Sequence, residues 1–231
     1  MTNKNNDGRK IKVLIGANNM LLAGAQRLIV DQLRLLDRNL FDIYLVVLMK
    51  FPGKETFDDQ IPDDIHVHRL SFSGFTDIKH WMYLIKILSS INPDVVKTAT
   101  FFSNTVFLLL RPFFGYVVVA AEHNTVEIKP HWQRIVDRML LPYSHTIVGD
   151  SQMVVDFVSE TEHIDKKYFT VIYNGVDLDA IALAEKTYFP EKVRLREKYG
   201  IPRSAYVVLT VARLVKQKNH RLMIESFANF A

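Results

Sequence analysis

The chain has 231 residues, 48% of them hydrophobic and 23% charged, enough for one large core or for one domain and part of another. It contains no cysteine, which excludes disulfides, a thiol nucleophile and a thiolate metal site and fits a reducing, cytoplasmic setting. The formal net charge is +4 without a basic run of the kind that grips nucleic acid, so the excess suits anionic small ligands or an anionic membrane surface.

The first ten residues, MTNKNNDGRK, are polar and carry no apolar h-region; residues 1–10 read as a disordered tail, not a signal peptide. Ile11 to Ile15 is a continuous apolar run, as a strand buried on both faces requires. From Ala25 to about Leu36 the residues Leu28, Ile29, Leu33 and Leu36 recur on one helical face. Strands follow at Phe41 to Met49 and, shorter, at Ile65 to Leu70; a helix from Lys79 to Ile91 stops at Asn92-Pro93. Asp94 to Thr98 reads as a strand, residues 103–110 as a helix and Tyr116 to Ala121 as a strand. The whole apolar stretch from Phe101 to Ala121 is broken by Ser103, Asn104, Arg111, Pro112 and Gly115, so no clean run reaches the roughly 18 residues of a membrane span. A helix over 130–141, a strand at His145 to Gly149, a helix at Gln152 to Val158 and a short strand at Phe169 to Ile172 complete the block. Strands alternating with single helices predict an α/β fold, a mostly parallel sheet with helices on both faces whose ligands bind at the carboxyl ends of the strands.

After Asn174-Gly175 the pattern changes. Asp177 to Glu185 reads as a connection, Glu191 to Gly200 as a charged helix with Gly200 as its C-cap, and Tyr206 to Ala212 as a new strand before a helix starting near Asn219. One strand and one partial helix cannot bury a core. Residues 11–180 are therefore expected to form the first domain, and residues 181–231 a linker and the start of an incomplete second α/β domain of a longer gene product.

Five loops are candidates for chemistry. In the first, Ala23-Gly24 opens a helix; GxGxxG and the Walker A lysine are both missing. Gly24 either leaves backbone N–H groups free for an anion or merely permits close helix–sheet packing. In the second, Glu122-His123-Asn124 stand together at a strand end, where His123 can contact a sugar hydroxyl or phosphate or move a proton; the alternative is that Asn124-Thr125 caps a helix. In the third, Ser151 lies between strand and helix, in the order G-D-S-Q-M that a hydrolase elbow does not have, so N-capping is its expected role. The fourth, Asn174-Gly175, is a turn leading out of the domain. In the fifth, Arg213, Lys216 and Lys218 precede a helix and suit a diphosphate, or form a solvated basic loop. His66 and His68 share a strand face without a third metal ligand, and no metal site is expected. Trp132 is either core or an acceptor contact.

The segments AGAQRLIVDQL, AAEHNT, VGDSQMVVDFV, VIYNGVDLDAI and VARLVKQKNHRLMIESFA, in this order from about Lys12 to Ala231, resemble the amino-terminal part of the family 4 glycosyltransferases. The resemblance implies a GT-B fold of two facing Rossmann-like domains, the second one truncated here. It implies retaining transfer of a sugar from a UDP- or GDP-linked nucleotide sugar, without a cofactor or metal, to a glycan or lipid-linked acceptor in cell-envelope polysaccharide or glycolipid synthesis. The family's paired glycines near the donor diphosphate read Ala23-Gly24 here. Its histidine near the donor sugar matches His123, and the arginine and lysine that clamp the diphosphate match Arg213 and Lys218. Glu122, Asn124 and Ser151 are candidates for acceptor or supporting contacts. Two glutamates eight apart in the family's second domain would fall beyond Ala231, so the isolated chain is expected to be inactive. A nucleotide-sugar epimerase shares the two-domain layout, but VARLVKQKN argues against it. The reading from another class is a partner-dependent acceptor-side subunit that needs a separate donor-domain chain. The basic balance and the aromatic segment His131 to Tyr143 suggest peripheral contact with the inner face of the membrane.

Overall fold

A computed structural model describes residues 8–123 and 129–228, except the side chain of Gln217. The chain divides into two compact units between Asn174 and Gly175.

The first unit is built on a seven-stranded parallel sheet, β1 (Ile11–Ala17), β2 (Phe41–Val47), β3 (His66–Arg69), β4 (Val95–Ala99), β5 (Val117–Glu122), β6 (Thr146–Gly149) and β7 (Phe169–Val171), in the order β3-β2-β1-β4-β5-β6-β7. Five helices connect them: α1 (Gly24–Leu35), α2 (Ile78–Ile91), α3 (Phe101–Phe114), α4 (His131–Leu140) and α5 (Gln152–Glu162). The strands are apolar on both faces because both faces are covered. Ile15 and Leu45 pack with Ile29, Val30 and Leu33 of α1, whereas Leu14 and Val46 belong to the cluster of Leu84 and Leu88 from α2 and Phe107 from α3.

From β1 the chain winds outward to β2 and β3, then returns to β4 on the other side of β1. That reversal makes the gap between the carboxyl ends of β1 and β4 the sheet's topological switch point, where open parallel sheets bind ligands. The close approach there belongs to Gly16, not Gly24. A Cβ on Gly16 would clash with the ring of the fully buried Phe107, while one on Gly24 would meet nothing within 4 Å.

Element ends depart from the sequence reading where local chemistry overrides pattern. α3 continues through Pro112 to Phe114 and closes on Gly115, at φ 72°. A proline near the end of a helix removes one N–H bond without stopping a helix packed on a sheet. α5 runs on to Glu162, whose side chain is buried. Residues 1–7 of the expected tail lie outside the described residues, and Arg9 donates two hydrogen bonds to the carboxylate of Asp94, at 2.8 and 2.7 Å.

The second unit holds α6 (Leu178–Tyr188), α7 (Lys192–Lys198) and α8 (His220–Ala228). The segment expected to be a connection, 177–185, is a helix, because Asp177 accepts a hydrogen bond from the Ala180 N–H at 2.9 Å and so caps it. The expected strand at Tyr206 to Ala212 does not form. A strand exists only by pairing, and the described residues of this unit supply no second strand.

Replacing Gly16 with alanine is expected to cost about 1–3 kcal/mol, because Phe107 is rigid and buried. The same change at Gly24 should be neutral or stabilising by about 0.4–1 kcal/mol. Urea unfolding of the two variants checks the pair; equal losses would contradict it.

Candidate functional site at the carboxyl edge of the sheet

The sheet order sets the ends of β1, β4, β5, β6 and β7 side by side, and a row of polar groups follows them. After β1, Asn18 turns its Oδ1 toward α3 and accepts the Ser103 N–H at 2.9 Å. Ala23 then stands at the N-cap of α1 without a side-chain cap, and no acidic residue occupies the first turn. The backbone N–H groups there keep their affinity for an anion. The open space beside Gly24 leaves the packing explanation for that glycine without a contact to support it.

After β4 comes Thr100, with φ 82° and ψ 157°. A β-branched residue at positive φ is strained by about 1–3 kcal/mol. Its Oγ1 is buried and has no hydrogen-bond partner among the described residues. Nothing in the string T-A-T-F announces this; only the sharp turn from β4 into α3 requires it.

After β5 stands His123, mostly buried, its Nδ1 without a hydrogen bond among the described residues. Asp150, after β6, places its Oδ2 3.5 Å from that nitrogen, an ion-pair distance too long for a good hydrogen bond. Asn174 donates to the same Oδ2 at 3.3 Å. Burial lowers the His123 pKa, the charge of Lys97 lowers it further, and Asp150 and Glu122 offset part of the effect. The ring is therefore largely neutral near pH 7 and can both accept and donate a proton. Lys97 is a cation within an apolar strand. Its ammonium donates to Gln32 Oε1 at 2.6 Å, and burial brings its pKa down to about 8.

Glu122, which precedes His123, faces the interior. It is 4% exposed and takes part in a buried cluster. The Lys129 ammonium lies 3.2 Å from Glu122, 2.7 Å from Asp137 of α4 and 2.7 Å from Glu162 of α5. Asn104 of α3 donates to Glu122 at 3.1 Å and accepts the Thr98 hydroxyl at 2.6 Å. Three carboxylates around one cation leave an excess of negative charge in low dielectric, which favours keeping a proton. Burial first, and then the neighbouring carboxylates, raise Glu122 and push Asp137 up to about 7, against the pull of Lys129. Burial disfavours the charged lysine as well, but the three carboxylates outweigh it and hold it protonated.

Ser151 is the N-cap of α5 and accepts the Val154 N–H at 3.3 Å, as the sequence suggested. Asn124 lies outside the described residues. Trp132 is half exposed at the start of α4, its ring edge-on to Phe101 at 5.3 Å. Arg213 and Lys218 belong to the second unit, where both are exposed. His66 and His68 lie on the edge strand β3, and among the described residues no group of three histidine, aspartate or glutamate side chains is placed to hold a metal ion. Sequence reasoning passed over Lys97, Thr100, Asp150 and the Lys129 cluster. A lysine inside DVVKTA was a usable signal; the others look like ordinary polar residues in the string.

The cluster makes stability pH-dependent. Asp137 has a folded pKa near 7 against an ordinary 3.8, so the folded chain holds a proton that the unfolded chain releases. Its contribution is complete at low pH and is lost as pH rises through 7, with a slope of at most about 1.4 kcal/mol per pH unit. His68 and His123, both lowered, act in the opposite direction but only below their ordinary 6.5. Lys97, brought down to about 8, opposes the fall as pH approaches 8, so urea unfolding between about pH 6.5 and 7.5 should show falling stability, and Asp137→Asn should flatten the profile. Lys129→Met should cost about 3–5 kcal/mol, since it strands the carboxylates.

Residues 22–180 match the family model described as Glycosyltransferase Family 4. The chain is similar to an Escherichia coli UDP-Gal:alpha-D-GlcNAc-diphosphoundecaprenol alpha-1,3-galactosyltransferase, at 26% identity over 91% of this chain and 55% of the relative. Among solved structures it resembles Anabaena Alr3699/HepE in complex with UDP and glucose, with a TM-score of 0.74 at 16% identity over 95% of this chain and 58% of that one. It also resembles a glycosyltransferase from Rickettsia africae, with a TM-score of 0.74 at 20% identity over 96% and 57% of the two chains. The chain thus spans little more than half the length of the relatives it matches. Since the family match covers more than half of the 231 residues, the chain belongs to Glycosyltransferase Family 4.

Proposed function

We propose that the gene product carrying this sequence transfers a sugar, with retention of configuration, from a UDP- or GDP-linked donor to a glycan or lipid-linked acceptor of the cell envelope. The observation that carries the reading is the switch-point edge of the first unit: the uncapped start of α1 at Ala23-Gly24, with the Thr100 hydroxyl unpaired among the described residues and His123 held only by the 3.5 Å contact with Asp150 on the adjacent strand ends. In this reading the α1 N-terminus faces the donor diphosphate, and His123 contacts the donor sugar. Arg213 and Lys218 are assigned, by the family resemblance, to neutralising a leaving diphosphate, where fixed positive charge has its largest effect on the barrier. The transfer needs no metal. A UDP-Gal donor and a diphosphoundecaprenol-linked acceptor stand in the name of the Escherichia coli relative, and Alr3699/HepE was solved with UDP and glucose. Both support a nucleotide sugar here. A lipid-linked acceptor implies work at the cytoplasmic face of a membrane. No helix among the described residues is long and apolar enough to cross one, and the contact proposed for them is peripheral.

Among the described residues of the second unit no side chain is buried. A segment without a core does not hold Arg213 and Lys218 in place, so the isolated 231-residue chain is proposed to be inactive.

The test is transfer of radiolabelled sugar from UDP- and GDP-sugars to a polyprenyl-diphosphate-linked acceptor by the gene product that carries this sequence. His123→Ala should lower kcat about 10²-fold with the fold retained. Unchanged kcat would remove His123 from the chemistry, absence of transfer from any donor would overturn the reading, and turnover by the 231 residues alone would refute their inactivity.

A further inference from the structure

β5 and β6 pair in parallel with Glu122 opposite Gly149, so the next residues of the two strands, His123 and Asp150, come out side by side just past the strand ends. β7 pairs on the far side of β6, with Val171 opposite Gly149, and Asn174 follows shortly after it. The Asn174 amide donates to Asp150 Oδ2 at 3.3 Å, and the same oxygen faces the Nδ1 of His123 at 3.5 Å. Asp150 is not needed to cap α5, because the neighbouring Ser151 does that. Among the described residues the Asp150 carboxylate meets only Asn174 and His123.

A neutral imidazole carries its proton on one nitrogen, and the group opposite each nitrogen decides which one. A carboxylate only accepts, so a carboxylate facing Nδ1 selects the Nδ1–H form and leaves Nε2 with a lone pair. The two side chains are 16% and 20% exposed, so water neither screens the pair strongly nor readily replaces the carboxylate as partner of Nδ1. The 3.5 Å separation is of the kind that shortens on binding: functional hydrogen bonds are often long in a free enzyme and tighten in the complex. A lone pair on Nε2 can accept from a hydroxyl but gives nothing to a phosphate oxygen, which itself only accepts. The Asp150 charge also repels a second anion at this point. Of the two ligand groups that the sequence allowed for His123, the pair selects the sugar hydroxyl over the phosphate.

We propose that Asp150, held by Asn174, is a positioning residue that fixes His123 as the Nδ1–H tautomer, so that Nε2 accepts a hydrogen bond from a hydroxyl of the donor sugar. The proposal deepens the proposed function and rests on it for the identity of that hydroxyl. Asp150 touches no ligand in this scheme and acts only through the ring. Its charge has a second consequence. Lys97 of β4, Glu122 of β5 and Asp150 after β6 all act on His123: burial and Lys97 lower its pKa, and Asp150 and Glu122 offset part of the fall. An imidazolium carries protons on both nitrogens and accepts nothing, so the hydroxyl contact is lost as pH falls through the His123 pKa. Without the Asp150 charge the imidazolium is less favoured, the pKa drops, and the neutral ring persists to lower pH.

Two measurements test this, the first without any donor. In the 231-residue chain carrying isotope-labelled histidine, nuclear magnetic resonance distinguishes a ring protonated at Nδ1 from one protonated at Nε2. The His123 signal, identified by its loss in His123→Gln, should report Nδ1–H at a pH where the ring is neutral. Asp150→Ala should lose that preference. Asp150→Asn keeps the shape, removes the charge and should make His123 titrate at lower pH; it keeps the titration test available if Asp150→Ala does not fold, which circular dichroism checks. The second measurement is transfer by the gene product that carries this sequence. There Asp150→Ala should lower kcat roughly ten-fold, as for other carboxylates that orient a functional histidine, with a smaller change in the donor KM. Added to His123→Ala it should have no further effect, since a residue that acts through the ring has nothing to act on once the ring is gone. Asp150→Asn should move the acid limb of kcat to lower pH. An Nε2–H ring in the unaltered chain, a His123 titration indifferent to Asp150→Asn, or additive losses in the double variant would overturn the proposal. A tautomer that depends on Asp150 without turnover of any donor would refute the function and leave the pairing standing; transfer with a kcat indifferent to Asp150→Ala would do the reverse.

Discussion

One buried lysine organises much of the first unit. Lys129 draws carboxylates from β5, α4 and α5 to a single ammonium, and through Glu122 and Asn104 the network reaches α3 and β4. Burying four ionisable groups is expensive in an apolar interior, and a hydrophobic cluster of the same size would serve stability as well or better. What the ions supply is direction. Hydrogen-bonded charges have few satisfactory arrangements, so α4 must present Asp137, and α5 must present Glu162, to one point. The rotation of α4 about its own axis is therefore fixed by its polar side, and its apolar arc has to face outward. The exposed Ile135 and Met139 follow from the position of Lys129.

The same network stands directly beneath the strand end that carries His123. His123 follows Glu122 directly past the end of β5, so the network fixes the strand end that carries it, with Asp150 3.5 Å from its ring. The edge itself combines burial with unsatisfied polar atoms. Thr100 holds a strained backbone and an unpaired hydroxyl, and His123 has a ring nitrogen 3.5 Å from its nearest carboxylate. Interiors that fold only for stability pair such groups; sites that await a ligand leave them open. This is a physical reason, separate from family membership, to look for the donor sugar between β4 and β5.

The architecture could be read from the sequence because it depends on features the sequence carries openly. Continuous apolar runs such as Ile11 to Ile15 mark strands covered on both sides, and the recurrence of Ile29 and Leu33 marks the helix between two of them. What could not be read depends on partners far away in the chain. Glycines 16 and 24 look alike in the string; only the arrival of Phe107 makes one of them indispensable to packing. Lys129, Asp137 and Glu162 look like solvated charges until the fold assembles them. The strand expected at Tyr206 to Ala212 has the right residues and lacks a neighbour to pair with. The helix over 178–188, by contrast, was signalled locally by Asp177 at its N-cap, and was missed because its apolar residues face no core that would impose a period.

The electrostatics of the first unit then separate into two zones with different tasks. Inside, an excess of carboxylates over one lysine retains a proton near neutral pH, so the core responds to pH while His123, lowered by burial and by Lys97, stays mostly neutral. Outside, α3 and α4 carry Arg111, Arg134 and Arg138, whose charge does not change over the same range. A site meant to exchange a proton gains from a histidine that can titrate. Because Asp137 is needed inside for Lys129, its absence from the outer face of α4 serves both ends: the inward carboxylate steadies the strand end under His123, and the outward surface is left with one sign of charge.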